Sequence, residues 1–337
     1  MDNVNISVLG GGSWGVTLTR LLDEKGYKVR LWELYPEVVS ELITRREHSK
    51  VLPGIKIPEQ ILITGDEKEA VKYATHILIC VPSHGVRDTL KKVEPYIKDG
   101  ALIINCAKGI EIETLMRMSE IIKDVLGDKV KVGTLSGPSH AEEVSKRMPT
   151  TVVSASEDIN TAEEIQKVFM LDYFRVYTNT DLIGVELGGA LKNIIAIAAG
   201  GIDGMGFGDN TKGALLTRGL AEMTRLGVAM GAKPLTFAGL SGLGDLITTC
   251  MSRHSRNRYV GEMLGRGMRL GDILATMTMV AEGVKTTLSA YKLSQKYGID
   301  MPVTEQVYKA LYEDKPARQV IYDLMTRSAK SEIEHDA

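Results

Sequence analysis

The chain has 337 residues, of which 44% are hydrophobic and 25% are charged, and its formal net charge is −2. A chain of this length holds about two domains, and this balance is typical of a globular protein rather than of a general nucleic-acid binder or a membrane-surface protein. Its three cysteines are odd in number and lack a Cys-x-x-Cys spacing, so neither a disulfide framework nor a bound metal is expected.

Predicted strands and helices alternate along the first half of the chain. Helical spacing predicts helices at 14–24 and 36–45. Strands are predicted at 5–9, 28–32, 76–81, 102–105, 131–135, 151–155 and 174–177. The apolar runs at 76–81 and 102–105 do not alternate polar with apolar residues and so resemble buried parallel strands. This order predicts an α/β domain with a Rossmann-type doubly wound sheet over residues 1–180.

The second half of the chain has almost no strand pattern. An all-α domain over residues 181–337 is therefore predicted, placed to close over the carboxyl edge of the sheet and ending in a charged, disordered tail at 328–337. Helical spacing supports it at 187–199, 212–230, 270–277, 286–296 and 303–312.

The chain shows no pattern for export or for crossing a membrane. Its longest apolar stretch, 187–202, is interrupted by Lys192 and by glycines, so no membrane span is expected. The first predicted strand begins almost at the N-terminus and leaves no room for a signal peptide. A cytoplasmic location is therefore expected.

A glycine-rich turn joins the first predicted strand to the first predicted helix. Gly10, Gly12 and Gly15 form the pattern G-x-G-x-x-G, which allows a tight turn and a close approach of the backbone to a pyrophosphate. Ser13 and Trp14 would then lie at the phosphates and beside the cofactor. The alternative is a purely structural turn, because glycine-rich turns are common between strands and helices.

Glu33 follows the second predicted strand, where an acidic residue hydrogen-bonds the adenosine ribose in NAD enzymes. An acid at this place repels a 2′-phosphate, and the next residues, Leu34 and Tyr35, offer no cation to bind one. NAD is therefore the preferred cofactor and NADP the second choice. The alternative is that Glu33 is a solvated loop acid.

Lys192 lies within an otherwise apolar predicted helix. Its side chain would cross the preceding turn at Gly188 and Gly189, and the missing side chains there would leave space for substrate and nicotinamide. Reduction of a ketone needs a cation and then a proton at the oxygen, and a buried lysine supplies both. The alternative is a lysine that extends from a half-buried helix to solvent. Asp245, in a glycine-rich turn, would orient Lys192 or cap the next helix.

Three further segments carry polar groups suited to an anion. Arginines with hydroxyl and amide donors at 251–258 fit a phosphate or carboxylate. RNA is the competing ligand, but the segment lacks interleaved aromatic residues and the chain is not basic. Lys108 and the loop at 136–141 each follow a predicted strand, so both are expected at the carboxyl edge of the sheet, although each could be an ordinary loop.

Over nearly its whole length the chain resembles the bacterial NAD(P)-dependent glycerol-3-phosphate dehydrogenases. The resemblance is carried by the segments GGGSWG, NCAKGIE, SGPSHAEEV, ELGGALKNIIAIAAGGIDGMGFGDNTKGALLTRGLAEMTRLG, and AGLSGLGDLITTC followed by SRNR. It implies the reversible reduction of dihydroxyacetone phosphate to sn-glycerol 3-phosphate for phospholipid synthesis, by a soluble homodimer. Many relatives carry a basic residue where this chain has Leu34 or Tyr35, which agrees with the preference for NAD.

The resemblance also implies a role for each matching residue. Lys192 would be the proton donor and acceptor, and Asp245 is the aspartate that would position it. The substrate would bind at Lys108, Gly137, Ser139, Lys192, Asp245, Ser255, Arg256 and Asn257. The cofactor would bind at Gly10, Gly12, Ser13, Trp14, Gly15, Glu33, Lys108, Ala141, Arg256, Val280 and Glu282.

Two other functions fit part of the pattern. A Rossmann enzyme of the 3-hydroxyacid or phosphogluconate type would share the fold and a lysine in the helical domain. A panel of substrates would distinguish it from a glycerol-3-phosphate dehydrogenase. A non-catalytic NAD-sensing protein would bind a partner through its helical domain. It would have no need to keep Lys192, Asp245 and Arg256 together.

Overall fold

The computed structural model describes residues 4–329 and 331–332 of the chain. Within these residues an eight-stranded sheet with helices on both faces comes first, and a helical half follows it. Of the tail expected to be disordered, 328–337, residue 330 and residues 333–337 lie outside the described residues. The predicted fold class is confirmed.

The sheet has the strand order 3-2-1-4-5-6-7-8. Its strands are β1 (Asn5–Leu9), β2 (Lys28–Trp32), β3 (Leu62–Thr64), β4 (His76–Ile79), β5 (Leu102–Asn105), β6 (Lys131–Ser136), β7 (Thr150–Ala155) and β8 (Phe174–Asn179). All neighbours pair in parallel except β6 and β7, which are antiparallel. The prediction of a wholly parallel sheet was wrong there, because the connection at 137–149 returns along the same edge instead of crossing the sheet.

The helices flank the sheet and then form the second half. Those of the first half are α1 (Ser13–Glu24), α2 (Pro36–Arg45), α3 (Glu67–Val71), α4 (Val86–Val93), α5 (Met118–Leu126), α6 (Ala141–Val144) and α7 (Ile159–Phe169). Those of the second half are α8 (Leu182–Gly204), α9 (Asp209–Ala229), α10 (Pro234–Phe237), α11 (Asp245–Met251), α12 (Arg256–Gly265), α13 (Leu270–Thr276), α14 (Glu282–Tyr297), α15 (Pro302–Tyr312) and α16 (Ala317–Met325).

Helix α8 is the core of the second half. Asp181 caps its N-terminus by accepting a hydrogen bond from the Gly184 amide, and most of the side chains along the helix are buried. At 23 residues it is longer than the apolar stretch predicted at 187–202, and its length and composition would allow it to cross a membrane. The most apolar part of this helix is 89% buried inside the protein, as in the central helix of a folded domain.

Candidate active site

The turn between β1 and α1 has the geometry of a dinucleotide cradle. Gly10 has φ +115°, and a Cβ there would lie 2.9 Å from the backbone of Cys80 and Val81. A Cβ at Gly15 would lie 1.8 Å from the Gly10 carbonyl oxygen, so helix and strand can approach this closely only without side chains. Gly12 faces open space, and no side chain caps α1 there, so its first N–H groups are free to bind a pyrophosphate.

Glu33 holds this turn from the end of β2. One carboxylate oxygen accepts a hydrogen bond from the Gly11 amide at 2.7 Å, and the other accepts from the amides of Leu34 and Tyr35 at 2.8 and 3.1 Å. Glu33 is buried, so the alternative of a freely solvated loop acid does not describe it. Its carboxylate lies against the glycine-rich turn, where the ribose of a dinucleotide would be expected.

Lys192 lies in the middle of α8 and its side chain is buried. Its Nζ donates a hydrogen bond to Thr249 Oγ1 at 2.6 Å and lies 3.2 Å from Asp245 Oδ1. Thr249 Oγ1 in turn donates to Asp245 Oδ1 at 3.2 Å. The ammonium group therefore does not extend to solvent, which removes the structural alternative for this lysine.

Asp245 is shared by two lysines from different halves of the chain. Its second oxygen, Oδ2, accepts a hydrogen bond from Lys108 Nζ at 2.7 Å, and Lys108 also donates to the Gly137 carbonyl at 3.0 Å. Lys108 follows β5, so its contact with Asp245 joins this edge of the sheet to the helical half. Asp245 begins α11 but forms no cap there, so of its two predicted roles the structure supports the orienting one.

The charges of this cluster set its proton affinities. Burial lowers the pKa of Lys192 to about 8, with a further contribution from the Lys108 charge, while Asp245 acts in the opposite direction. Burial alone would raise the pKa of Asp245, but the two lysines outweigh it and hold that pKa below its usual value. Asp245 therefore stays ionised, and Lys192 is able to lose and regain a proton near neutral pH.

Thr249 was not predicted as a site residue. It lies four residues after Asp245 on α11, so both side chains are on one face of that helix. The segment Asp-Leu-Ile-Thr-Thr contains this spacing, but threonines at such a spacing are common and only the position of Lys192 shows which one matters.

The glycines beside Lys192 have a different role from the one predicted. A Cβ at Gly188 would lie 2.7 Å from the Ser241 carbonyl oxygen, and one at Gly189 would lie 2.7 Å from Ser136 Oγ. The prediction that they leave space for ligands was wrong, because protein atoms occupy both places. The glycines instead let α8 pack directly on the turn before Asp245 and on the end of β6, which brings Lys192 to the site.

The loop after β6 lies at the same sheet edge. Gly137 has φ +122°, and a Cβ there would lie 3.1 Å from the Val152 Cα, so this position requires glycine. Ser139 Oγ donates to the Gly137 carbonyl at 2.9 Å. Ala141 begins α6, and its carbonyl accepts a hydrogen bond from Thr17 of α1 at 3.4 Å. The loop thus joins the lysine cluster to the helix that follows the glycine-rich turn.

The predicted anion-binding residues lie at the N-terminus of helix α12. Ser255 is the N-cap and accepts from the Arg258 amide at 3.1 Å. The Asn257 side chain is not open to a ligand, because it donates to Asn193 Oδ1 at 2.9 Å and accepts from the Gly283 amide at 2.8 Å. The first amides of α12 are therefore better placed than the Asn257 amide group to bind an anion.

Of the last two predicted cofactor residues, Val280 contacts Arg256 within the helical half, and Glu282 connects the two halves of the chain. Arg256 donates from its guanidinium to the Val280 carbonyl at 3.2 Å. Glu282, at the start of α14, accepts from the backbone amide of Ser83 at 2.9 Å and from its hydroxyl at 2.6 Å. Ser83 follows β4, so this contact closes the helical half against the same edge of the sheet.

No cluster of three or more potential metal ligands among His, Cys, Asp and Glu occurs in the part of the chain that the structure describes. Around the Asp245 carboxylate the site consists of cationic, hydroxyl and amide groups. Such a set suits a phosphorylated or carboxylated small molecule and proton transfer beside it.

Comparison with known proteins assigns both halves of the chain. Residues 5–162 match the model for the NAD-dependent glycerol-3-phosphate dehydrogenase N-terminus, and residues 181–322 match that for the C-terminus. The chain is 52% identical to glycerol-3-phosphate dehydrogenase [NAD(P)+] of Chlorobium phaeobacteroides over 98% of its length and 99% of that protein. The protein of this name from Citrifermentans bemidjiense is also 52% identical, with 97% and 98% covered.

A crystal structure supports the same relationship. The glycerol-3-phosphate dehydrogenase (gpsA) of Coxiella burnetii superposes with a TM-score of 0.93 at 38% identity. The alignment covers 96% of this chain and 99% of that one.

Proposed function

Because the chain belongs to the NAD-dependent glycerol-3-phosphate dehydrogenase family, we propose that Lys192 is the proton donor and acceptor of the reaction. The chain catalyses the reversible reduction of dihydroxyacetone phosphate to sn-glycerol 3-phosphate with NAD(P)H, and the product supplies phospholipid synthesis. The observation that carries the assignment of Lys192 is its buried Nζ, held between Thr249 and Asp245.

The hydride and the proton reach the ketone from different groups. Bound NADH or NADPH supplies the hydride that reaches C2 of the substrate. Lys192 gives its proton to the C2 oxygen as negative charge develops there, and Asp245 and Thr249 hold the ammonium group during this step. In the reverse direction neutral Lys192 accepts the proton from the C2 hydroxyl group.

We assign the substrate phosphate to the N-terminus of α12. Ser255 and the free amides of Arg256 and Asn257 supply neutral donors there, and the Arg256 guanidinium supplies a positive charge. Lys108, Gly137 and Ser139, which are joined by hydrogen bonds to the Gly137 carbonyl, supply the other proposed contacts with the substrate. The Asn257 side chain supports this arrangement through Asn193 and Gly283.

Initial rates of NADH oxidation with dihydroxyacetone phosphate test the reaction directly, with NADPH run beside NADH at the same concentration. We expect turnover with both cofactors and the faster rate with NADH. Turnover of 3-hydroxyacids or phosphogluconate without dihydroxyacetone phosphate would favour the related enzymes of this fold. Tight NADH binding without any turnover would favour a sensor.

The preference for NAD rests on the surroundings of Glu33. Beside it lies a cavity of about 400 Å³ lined by Leu34, Pro36, Val39, Ser40, Ile43, Thr44 and Gly65. No lysine or arginine is among these described lining residues, so a 2′-phosphate placed here would meet the Glu33 carboxylate without a compensating cation. Bound in this way, the dinucleotide would be held by the glycine-rich turn and by Glu33.

Glu33→Ala should raise the KM for NADH by about 10- to 100-fold, the usual effect of losing a hydrogen bond to a charged group. The KM for NADPH should rise less or fall, because the repulsion of its 2′-phosphate is removed. Steady-state kinetics with each cofactor measure both values. Glu33→Gln is the matched control, since it removes the charge but keeps a hydrogen-bond acceptor for the Gly11 amide. Equal changes for NADH and NADPH in both variants would show that Glu33 only supports the turn.

The pKa of Lys192, lowered to about 8, predicts opposite pH profiles for the two directions. Reduction needs protonated Lys192, so kcat/KM for dihydroxyacetone phosphate should be constant below about pH 8 and fall above it. Oxidation needs neutral Lys192, so kcat/KM for glycerol 3-phosphate should rise up to about pH 8 and then level off. Profiles that bend in the same direction for both substrates would contradict the assignment.

We also propose that the chain acts as a cytoplasmic homodimer. The family resemblance supports this proposal. Sedimentation equilibrium at micromolar concentration should give twice the chain mass of 36.8 kDa. A single species of monomer mass at all concentrations would contradict the dimer.

A further inference from the structure

One nitrogen of the His140 imidazole, Nε2, has no hydrogen-bond partner among the residues that the structure describes. His140 lies between Ser139 and Ala141 in the loop after β6, and the ring is half-buried. Its Nε2 is sealed from solvent and makes no hydrogen bond to any described residue. A buried polar atom without a partner is costly, and in an active site it often marks a place where a ligand supplies the missing group.

His140 lies beside the lysine cluster. The charges of Lys192, Glu142, Asp245 and Lys108 all act on its titration. Burial lowers its pKa below the usual value, and the positive charge of Lys192 lowers it further, so the ring is neutral at physiological pH. A neutral imidazole carries one hydrogen-bond donor and one acceptor.

The ring also lies close to the loop that precedes α12. His254, in the loop before α12, lies across from it with 6.1 Å between the ring centroids. His254 is exposed, whereas His140 is half-buried between this loop and the lysine cluster. Because no described residue hydrogen-bonds Nε2 of His140, this nitrogen has no protein partner that a ligand would have to displace.

The substrate has one polar group that the proposed site leaves without a partner. Its phosphate is assigned to the N-terminus of α12, and its C2 oxygen to Lys192. The hydroxyl group on C1 is uncharged and is both a donor and an acceptor, which matches a neutral imidazole and not another ammonium group. The ring of His140, with its unpartnered Nε2, is a described side chain of this character near the lysine cluster.

We propose that His140 binds the C1 hydroxyl group of dihydroxyacetone phosphate and thereby selects a hydroxymethyl ketone over a methyl ketone. The inference rests on the proposed function, because it assumes the same substrate and the same reacting lysine. It makes His140 a specificity residue that discriminates by a hydrogen bond present only with the correct substrate. The proton on the C2 oxygen still comes from Lys192.

The test compares two substrates that differ only at C1. Acetol phosphate carries a methyl group where dihydroxyacetone phosphate carries a hydroxymethyl group. In His140→Phe we expect kcat/KM for dihydroxyacetone phosphate to fall about 3- to 10-fold, the usual range for one neutral hydrogen bond, and kcat/KM for acetol phosphate to stay within twofold of the wild type. His140→Gln, which restores a donor and an acceptor, should recover part of the loss for dihydroxyacetone phosphate alone.

The possible outcomes distinguish failure of the inference about His140 from failure of the proposed function. Equal losses with both substrates, or no loss with either, would overturn the role of His140 while leaving the reaction intact. Absence of turnover of dihydroxyacetone phosphate by the wild-type protein would overturn the proposed function itself. NADH affinity and melting temperature of each variant are measured beside the rates. If His140→Phe does not fold, His140→Gln and His140→Asn are compared on the two substrates, and equal ratios to wild type in both would overturn the inference.

Discussion

Lys192→Ala should lower kcat for the reduction of dihydroxyacetone phosphate by about 10²–10⁴-fold, which is the usual share of a general acid. The substitution removes no solvent-exposed charge, because Nζ of Lys192 is buried against Thr249 and Asp245. NADH binding should remain, since the glycine-rich turn and Glu33 lie apart from this cluster. Stopped-flow measurement of the first turnover would locate the loss in the chemical step.

The fold of this variant is expected to persist. Asp245 keeps its contact with Lys108 at 2.7 Å, so its negative charge remains paired. Lys292→Ala on the exposed side of α14 is the matched control, and it should retain the full rate. A value of kcat for Lys192→Ala close to that of this control would remove Lys192 from the mechanism.

Asp245→Asn should lower kcat for reduction by about 10²-fold or more at neutral pH. The substitution leaves Lys108 and Lys192 near each other without the carboxylate that they share, so the pKa of Lys192 should fall further and its proton should be lost at lower pH. The pH at which the rate of reduction falls should therefore be lower than in the wild type. A pH–rate profile of the variant measures this displacement together with the loss of rate.

The chain offers a close control for this charge. Asp203, on α8, also pairs with two cations, Lys212 and Arg258, and among the described residues no ion pair joins it to Lys108 or Lys192. Asp203→Asn should lower the melting temperature without changing the pH profile of the rate. If Asp203→Asn and Asp245→Asn alter the rate to the same extent, loss of folded protein would explain both, and the specific role of Asp245 would be rejected.

Much of this site could be predicted from the sequence because its residues stand in unusual surroundings. Glycines spaced as Gly10, Gly12 and Gly15 between a strand and a helix have the context that a nucleotide-binding turn requires, and a lysine in the middle of an apolar helix is conspicuous. The alternation of strands and helices in the first half indicated the sheet, and the continuous apolar runs at 76–81 and 102–105 indicated its buried parallel strands.

Other features depend on contacts between distant segments. The strand β3, Leu62–Thr64, has only three residues and gives no periodic signal, so it was not predicted. The roles of Gly188 and Gly189 depend on the approach of Ser241 and Ser136, which no local pattern reveals. The engagement of Asn257 by Asn193 and Gly283 likewise depends on how three helices pack. The domain bounds of 1–180 and 181–337 remain a prediction.

The sharing of Asp245 by two lysines has a consequence for the ancestry of such enzymes. Lys108 is carried by the sheet, and Asp245 and Lys192 by the helical half, so neither half contains the complete set of charges. A nucleotide-binding sheet from another dehydrogenase, joined to this helical half, would complete this set only if it carried a lysine at the place of Lys108. Exchange of one half at their boundary therefore preserves the site only when that position is preserved with it.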